Sequence, residues 1–138
     1  MSAEDASLRT IEAFNRRDAA AFAAGYATGA VAYDPQYSEP LKGREAIRED
    51  IQAFFDAFPD GRVRLINSVT SGNTAASEVE FTGTQLGSMA TPTGSIPPTN
   101  RRVTLRLARF IQVDTQGQIV KESRYYDLAG MMHQLGLM

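Results

Sequence analysis

Residues 44–84 read REAIREDIQAFFDAFPDGRVRLINSVTSGNTAASEVEFTGT, and the fold turns on a change of period inside them. In the first part Ile47, Ile51, Phe54, Phe55 and Phe58 stand at i, i+4, i+7, i+8 and i+11, the broad apolar stripe of a helix that must bury one face. Pro59-Asp60-Gly61 stops that helix. From Arg62 the period falls to 2. Val63 and Leu65 alternate with arginines, Ser71-Gly72-Asn73 makes a turn, and Val79 and Phe81 alternate with Glu78, Glu80 and Thr82, as in antiparallel strands with one buried face.

Upstream, Ser2 and Asp5 form a serine-x-x-acid start signal, and Leu8, Ile11 and Phe14 follow at helical spacing, predicting a helix over 4–15. Asp18 is a natural cap for a second short helix over 19–26, with Phe22 and Tyr26 on one face, and 30–33 predicts a short strand before Asp34-Pro35. Downstream, residues 86–100 are rich in Gly, Pro, Ser and Thr and read as a loop at one mouth of the sheet. Val103, Leu105 and Leu107 restore the alternation. Residues 114–117 turn the chain into a last strand over 118–127, and a helix over 128–135 ends where Gly136 supplies a C′ glycine. Helices first and a strand meander afterwards predict an α+β domain, with helices packed on one face of a curved antiparallel sheet. No linker or internal repeat divides the chain, so residues 1–138 are expected to form a single domain.

Hydrophobic residues make up 43% of the 138 and charged residues 22%, an ordinary globular balance. The net charge is −2 with the signs interspersed, which offers no footprint for nucleic acid. Cysteine is absent, so thiolate metal sites, disulfides and thiol nucleophiles are excluded, and His133 is the single histidine. No metal and no cofactor are expected. There is no signal-peptide pattern and no apolar run long enough to span a bilayer, so the expectation is a cytoplasmic protein with no membrane partner.

Three segments together carry a resemblance. They are Phe58-Pro59-Asp60; then Phe81-Thr82-Gly83-Thr84, Gly87, Pro97-Pro98-Thr99 and Arg101-Arg102-Val103; and finally Gly117 with Ile119, Tyr126-Asp127 and Gln134-Leu135-Gly136-Leu137. In this order and spacing, with Gly43-Arg44-Glu45-Ala46-Ile47 before the third helix, the chain resembles the SnoaL-like polyketide cyclases of the nuclear transport factor 2-like superfamily. Asn100 stands where the family more often has glycine, and asparagine tolerates the left-handed backbone such a turn needs. The resemblance implies a cone with a deep pocket between helices and sheet, and often a dimer through the sheet. It does not select the chemistry, because one fold hosts many activities.

In the last strand, a period of 2 puts Ser123, Tyr125 and Asp127 on one face and Glu122, Arg124 and Tyr126 on the other. Asp127 matches the position of the family's acid/base aspartate, and that match places the Asp127 set inside. The resemblance implies that such a carboxylate closes a ring by an aldol step, taking a proton from a carbon beside carbonyls and returning one to the new alkoxide. Tyr125, and Tyr26 or Tyr33 from the helical side, are the candidate substrate-binding hydroxyls. Asp127 also precedes the last helix, so it has a second reading as an N-cap. Asp34 has two readings, first a turn residue of Asp34-Pro35 and second a residue facing the pocket; Asp60 reads as a turn residue and His133 as a surface residue.

The expected function is cofactor-independent acid/base chemistry, an aldol cyclisation or related isomerisation of a small hydrophobic carbonyl compound. The alternative is a binding or dimerisation module that uses the same pocket without chemistry. Epoxide hydrolysis asks for two carboxylates and an arginine around one water, and the 103–110 strand offers no Arg-x-Asp partner. Apolar or threonine residues on both parities, as at Val69, Thr82 and Thr104, predict a homodimer through the sheet. Residues 86–100 are expected to gate the pocket.

Overall fold

The computed structural model describes residues 2–138. Its first helix, α1 (Ala3–Asn15), begins on a capping box in which the Ser2 hydroxyl accepts from the Asp5 backbone and the Asp5 carboxylate accepts from the Ser2 backbone. Asp18 caps α2 (Ala19–Ala24). That helix is shorter than expected. The chain is already extended at Tyr26, the first residue of β1 (Tyr26–Tyr33), because the Ile119 amide claims the Gly25 carbonyl and draws the segment into the sheet. After the two-residue strand β2 (Leu41–Lys42), α3 (Arg44–Ala57) carries the predicted stripe, with Ile47, Ile51 and Phe55 buried and Phe54 half-buried at the edge.

Three long strands follow the alternation of the sequence: β3 (Arg62–Ser71), β4 (Thr74–Thr84) and, after an intervening hairpin, β7 (Arg102–Val113). On β4, Ala75, Ser77, Val79 and Phe81 are buried while the residues between them are half-exposed. The expected loop is not featureless. It contains a separate two-stranded hairpin, β5 (Met89–Thr91) and β6 (Gly94–Ile96), whose root is knitted by the buried Gln85 side chain to the carbonyls of Gly87 and Pro97 and to Thr99. Asn100 takes a φ of 59°, the left-handed turn expected of it.

The last strand, β8 (Ile119–Tyr126), and helix α4 (Leu128–Gln134) complete a six-stranded sheet in the order β2-β1-β8-β7-β4-β3. All neighbours are antiparallel except β1 and β8, which run parallel. Helices α1, α2 and α3 cover one face and leave the other uncovered. Among the described residues, no helix is long and apolar enough to cross a membrane.

One local feature of β8 sets the site. Val113 pairs with Ile119, but the next residue back, Gln112, pairs with Lys121, so Val120 is an extra residue in β8. A one-residue slip sends every later side chain to the opposite face. Without the slip, the inward parity at Ile119 would continue through Ser123 and Tyr125. With it, Arg124 faces the helices beside Arg109, and Tyr126 beside Leu107. The expectation that the Asp127 set lines the interior is therefore corrected: Glu122, Arg124 and Tyr126 do.

Candidate functional site

Between α1, α3 and the inner sheet face lies a cavity of about 140 Å³. Most of its wall is apolar, built by Phe14, Phe54, Phe81, Leu105 and Leu107 among others, and its polar end is built by Asp34, Tyr37, Asp50, Arg124 and Tyr126. The aromatic wall is braced by ring contacts, with Phe81 5.0 Å from Phe54 and 6.2 Å from Phe14.

The polar end comes from three distant parts of the chain. Asp34 follows β1, Asp50 sits on the inward face of α3, and Arg124 lies past the bulge in β8. One guanidinium nitrogen, Nη1 of Arg124, donates to both carboxylates, at 3.0 Å to Asp34 and 2.9 Å to Asp50. Each carboxylate also holds a tyrosine: Tyr126 donates to Asp34 at 2.6 Å and Tyr37 to Asp50 at 2.7 Å. The Gln36 amide donates to Asp34 as well, so the Asp34-Pro35 turn expected from sequence exists and aims its carboxylate into the cavity.

Behind this pair lies a second charged layer. Glu122 accepts from Arg124 at 3.1 Å, from Arg109 at 2.8 Å and from the Tyr26 hydroxyl at 2.6 Å. Arg109 also donates to Thr10 on α1, and no buried side-chain polar atom among the described residues lacks a partner. Burial alone would raise Glu122, but the guanidiniums of Arg124 and Arg109 outweigh it and hold the carboxyl down to about 2. Burial works against charge on Arg124 too, and Glu122, Asp50 and Asp34 together reverse it and raise the group further. Tyr126 and Tyr37 are pushed up by burial and then by the adjacent aspartates, so both remain neutral donors at any ordinary pH. Among the described residues, no group of three or more acidic, histidine or cysteine side chains is placed to hold a metal ion.

The residues singled out from sequence fall elsewhere. Asp127 is exposed and caps α4, its carboxylate accepting from the Gly130 amide at 2.8 Å, as its second reading expected. Tyr125 is 59% exposed on the opposite face of the sheet, against Phe110. Tyr33 is likewise exposed, while Tyr26 is fully buried and serves Glu122 rather than the cavity wall. Asp60 is a turn residue, accepting from the Thr84 amide. His133 is exposed. Asp34 combines both of its readings, a turn residue that is also a cavity residue. Asp50 and Arg124 carried no local signal, since 74 residues separate them.

A sequence model of the SnoaL-like domain matches residues 8–122. No curated protein matches the chain. Among solved structures, a protein of Jannaschia sp. CCS1 assigned as a SnoaL-like polyketide cyclase superposes with a TM-score of 0.84 at 16% identity, over 99% of this chain and 92% of that one. IdmH from Streptomyces antibioticus, assigned as a polyketide cyclase, gives 0.77 at 24% identity over 99% of both chains. The epoxide hydrolase/cyclase-like enzyme SalBIII, with a role in pyran ring formation in the polyether salinomycin, gives 0.76 at 16% identity over 92% of both.

Proposed function

The chain belongs to the SnoaL-like domain family, and we propose that it is a cofactor-independent acid/base enzyme acting on a small carbonyl compound in its apolar cavity. The observation that carries this reading is the pair Asp34 and Asp50 sharing one nitrogen of Arg124 at the polar end of an otherwise apolar wall. A carboxylate of that pair takes a proton from the carbon beside the substrate carbonyl. Once it is protonated it is a poorer acceptor, so its tyrosine, Tyr126 or Tyr37, can turn its hydroxyl to the oxygen where the enolate charge develops. The same carboxyl then gives the proton back, to carbon in an isomerisation or to the new alkoxide in an aldol closure. Arg124 stays charged throughout and keeps the two carboxylates together.

Solvent deuterium exchange at the α-carbon of simple ketones, followed by proton NMR, tests the reading. The wild-type protein is expected to accelerate exchange for at least one ketone, and Asp34→Asn and Asp50→Asn to reduce that by about 10²-fold or more for the residue that acts as base. Binding without exchange would favour the non-catalytic module instead. Exchange that survived in both variants would overturn the assignment of the pair.

A second reading is favoured by the same pair. Two carboxylates on one arginine suit epoxide opening, in which one carboxylate takes a proton from water and the other, protonated, gives one to the epoxide oxygen. The strand 103–110 indeed lacks the arginine and acid together, but the fold assembles them from three elements. Incorporation of ¹⁸O from labelled water into a diol product would select this reading over the carbonyl one.

A further inference from the structure

We infer that the ligand of this cavity is about the size of a single six-membered ring and carries no negative charge, and that the cavity rejects both fused-ring compounds and anions. This deepens the reading above, because it takes the cavity to be the substrate site.

Size comes first. A cavity of about 140 Å³ is close to the roughly 150 Å³ apolar cavity that takes up benzene, and well below the ~300–1,000 Å³ of pockets that enclose drug-sized molecules. Widening it has a cost in packing. Phe54 meets both Phe58, at 4.9 Å, and Phe81, while Phe14 meets Phe55 at 5.1 Å, so the rings that would have to move are wedged against one another. The opposite side is the inner face of β7, whose Leu105 and Leu107 are fixed in the sheet.

Charge comes second. The wall holds three acidic side chains, Asp34, Asp50 and Glu122, against two basic ones, Arg109 and Arg124, an excess of one acid. Neither guanidinium is open to an anion. Nη1 of Arg124 is held by two aspartates and Nη2 by Glu122, while Arg109 is held by Glu122, Thr10 and Tyr26. An incoming carboxylate would find no unshared cation and would sit beside two carboxylates of its own sign. A neutral carbonyl compound brings no charge of that sign to the polar end and meets no such repulsion.

The test is a ladder of probes, with binding read from amide NMR shifts at residues of the cavity wall. Cyclohexanone and benzamide are expected to bind there, benzoate at least about tenfold more weakly than its neutral isostere benzamide, 1-tetralone weakly and 9-fluorenone not at all. Phe54→Ala, which removes one ring of the wall, should raise the affinity for 1-tetralone relative to cyclohexanone; if that variant fails to fold, the wild-type ladder decides alone. The inference is overturned if 9-fluorenone binds more tightly than cyclohexanone, if benzoate matches benzamide, or if no probe binds. Its failure is distinct from failure of the acid/base reading. Cyclohexanone that binds without exchanging its α-protons removes the chemistry and leaves the size rule standing, whereas 9-fluorenone bound in a protein that still exchanges ketone protons does the reverse.

Discussion

Asp127 and Asp34 are both aspartates at the end of a strand, yet their surroundings give them opposite work. Asp127 faces solvent and uses one oxygen to accept from the Gly130 amide, and a Cβ at residue 130 would meet its carboxylate. Asp127→Ala is therefore expected to cost about 1 kcal/mol by chemical denaturation, Asp127→Asn much less, and neither to alter ketone exchange. A loss of exchange in Asp127→Asn would return this residue to the mechanism. Glu122 differs again, as a buried carboxylate whose value is depressed from 4.5 to about 2 by two arginines. The group is ionised more readily when folded than when unfolded, so its contribution is fully present above pH 4.5 and is lost as pH falls from there toward 2. That contribution is of order 3 kcal/mol. Glu122→Gln leaves two buried guanidiniums short of a partner and is expected to lower Tm by roughly 10 °C or more at neutral pH. It should also flatten the fall in stability between pH 4.5 and 2; a variant with an unchanged acid limb would show that other carboxylates control it.

At the scale of elements, what could be read from the chain is what repeats locally. The stripe of α3 and the alternation of β3, β4 and β7 each recur within a few residues, so helix and strands were legible. Two things were not. The Val120 bulge leaves no mark in composition, since valine suits a regular strand as well as a bulged one, yet it alone decides that Arg124 and Tyr126, not Tyr125, face the cavity. The Phe22–Tyr26 spacing also fits a helix, and only the long-range pairing of Tyr26 with Ile119 makes that end a strand. The site itself joins Asp34, Asp50 and Arg124 across 90 and 74 residues, a separation no motif scan spans. The hairpin β5–β6 pairs only with itself, but Met89 at its base is buried in the cavity wall and Gln36 donates to the Ala90 carbonyl. Its exposed tip and its anchored root should thus respond differently. Removing Pro92 and Thr93 is expected to shift Tm by no more than about 3 °C while changing the rates of ligand binding. Gly87→Ala should cost about 1–3 kcal/mol, because a Cβ there would overlap the Asp56 carbonyl at the end of α3. A tip deletion that unfolded the protein would make the hairpin part of the core.

For the whole molecule, the open question in the architecture is the face of the sheet that no helix covers. Its outward side chains include Val69 at 62% exposure, Phe110 at 47%, Tyr125 at 59% and Tyr33 at 46%, with Phe110 and Tyr125 in edge-to-face contact at 6.1 Å. Single exposed apolar residues are ordinary, but Tyr33, Tyr125 and Phe110 on adjacent strands β1, β8 and β7 form one surface, which Ala76 on β4, paired with both Phe110 and Val69, continues to β3, and Thr82 and Thr104 extend it as paired neighbours on β4 and β7. A surface of this kind on an otherwise well-covered domain suits a second copy related by a two-fold axis, since each copy then presents the same patch to the other. A stable pairing of that type needs about 800 Å² from each partner, which the breadth of a six-stranded sheet can supply. We therefore expect a homodimer in sedimentation velocity at tens of micromolar. Phe110→Lys together with Tyr125→Lys should convert it to a monomer. Both side chains project away from the cavity, so the monomer should keep the probe binding of the wild-type chain, and any drop in Tm should track the loss of association through its dependence on protein concentration. A wild-type chain that sedimented strictly as a monomer at that concentration would remove the dimer, and a double variant that remained dimeric would move the interface off this face.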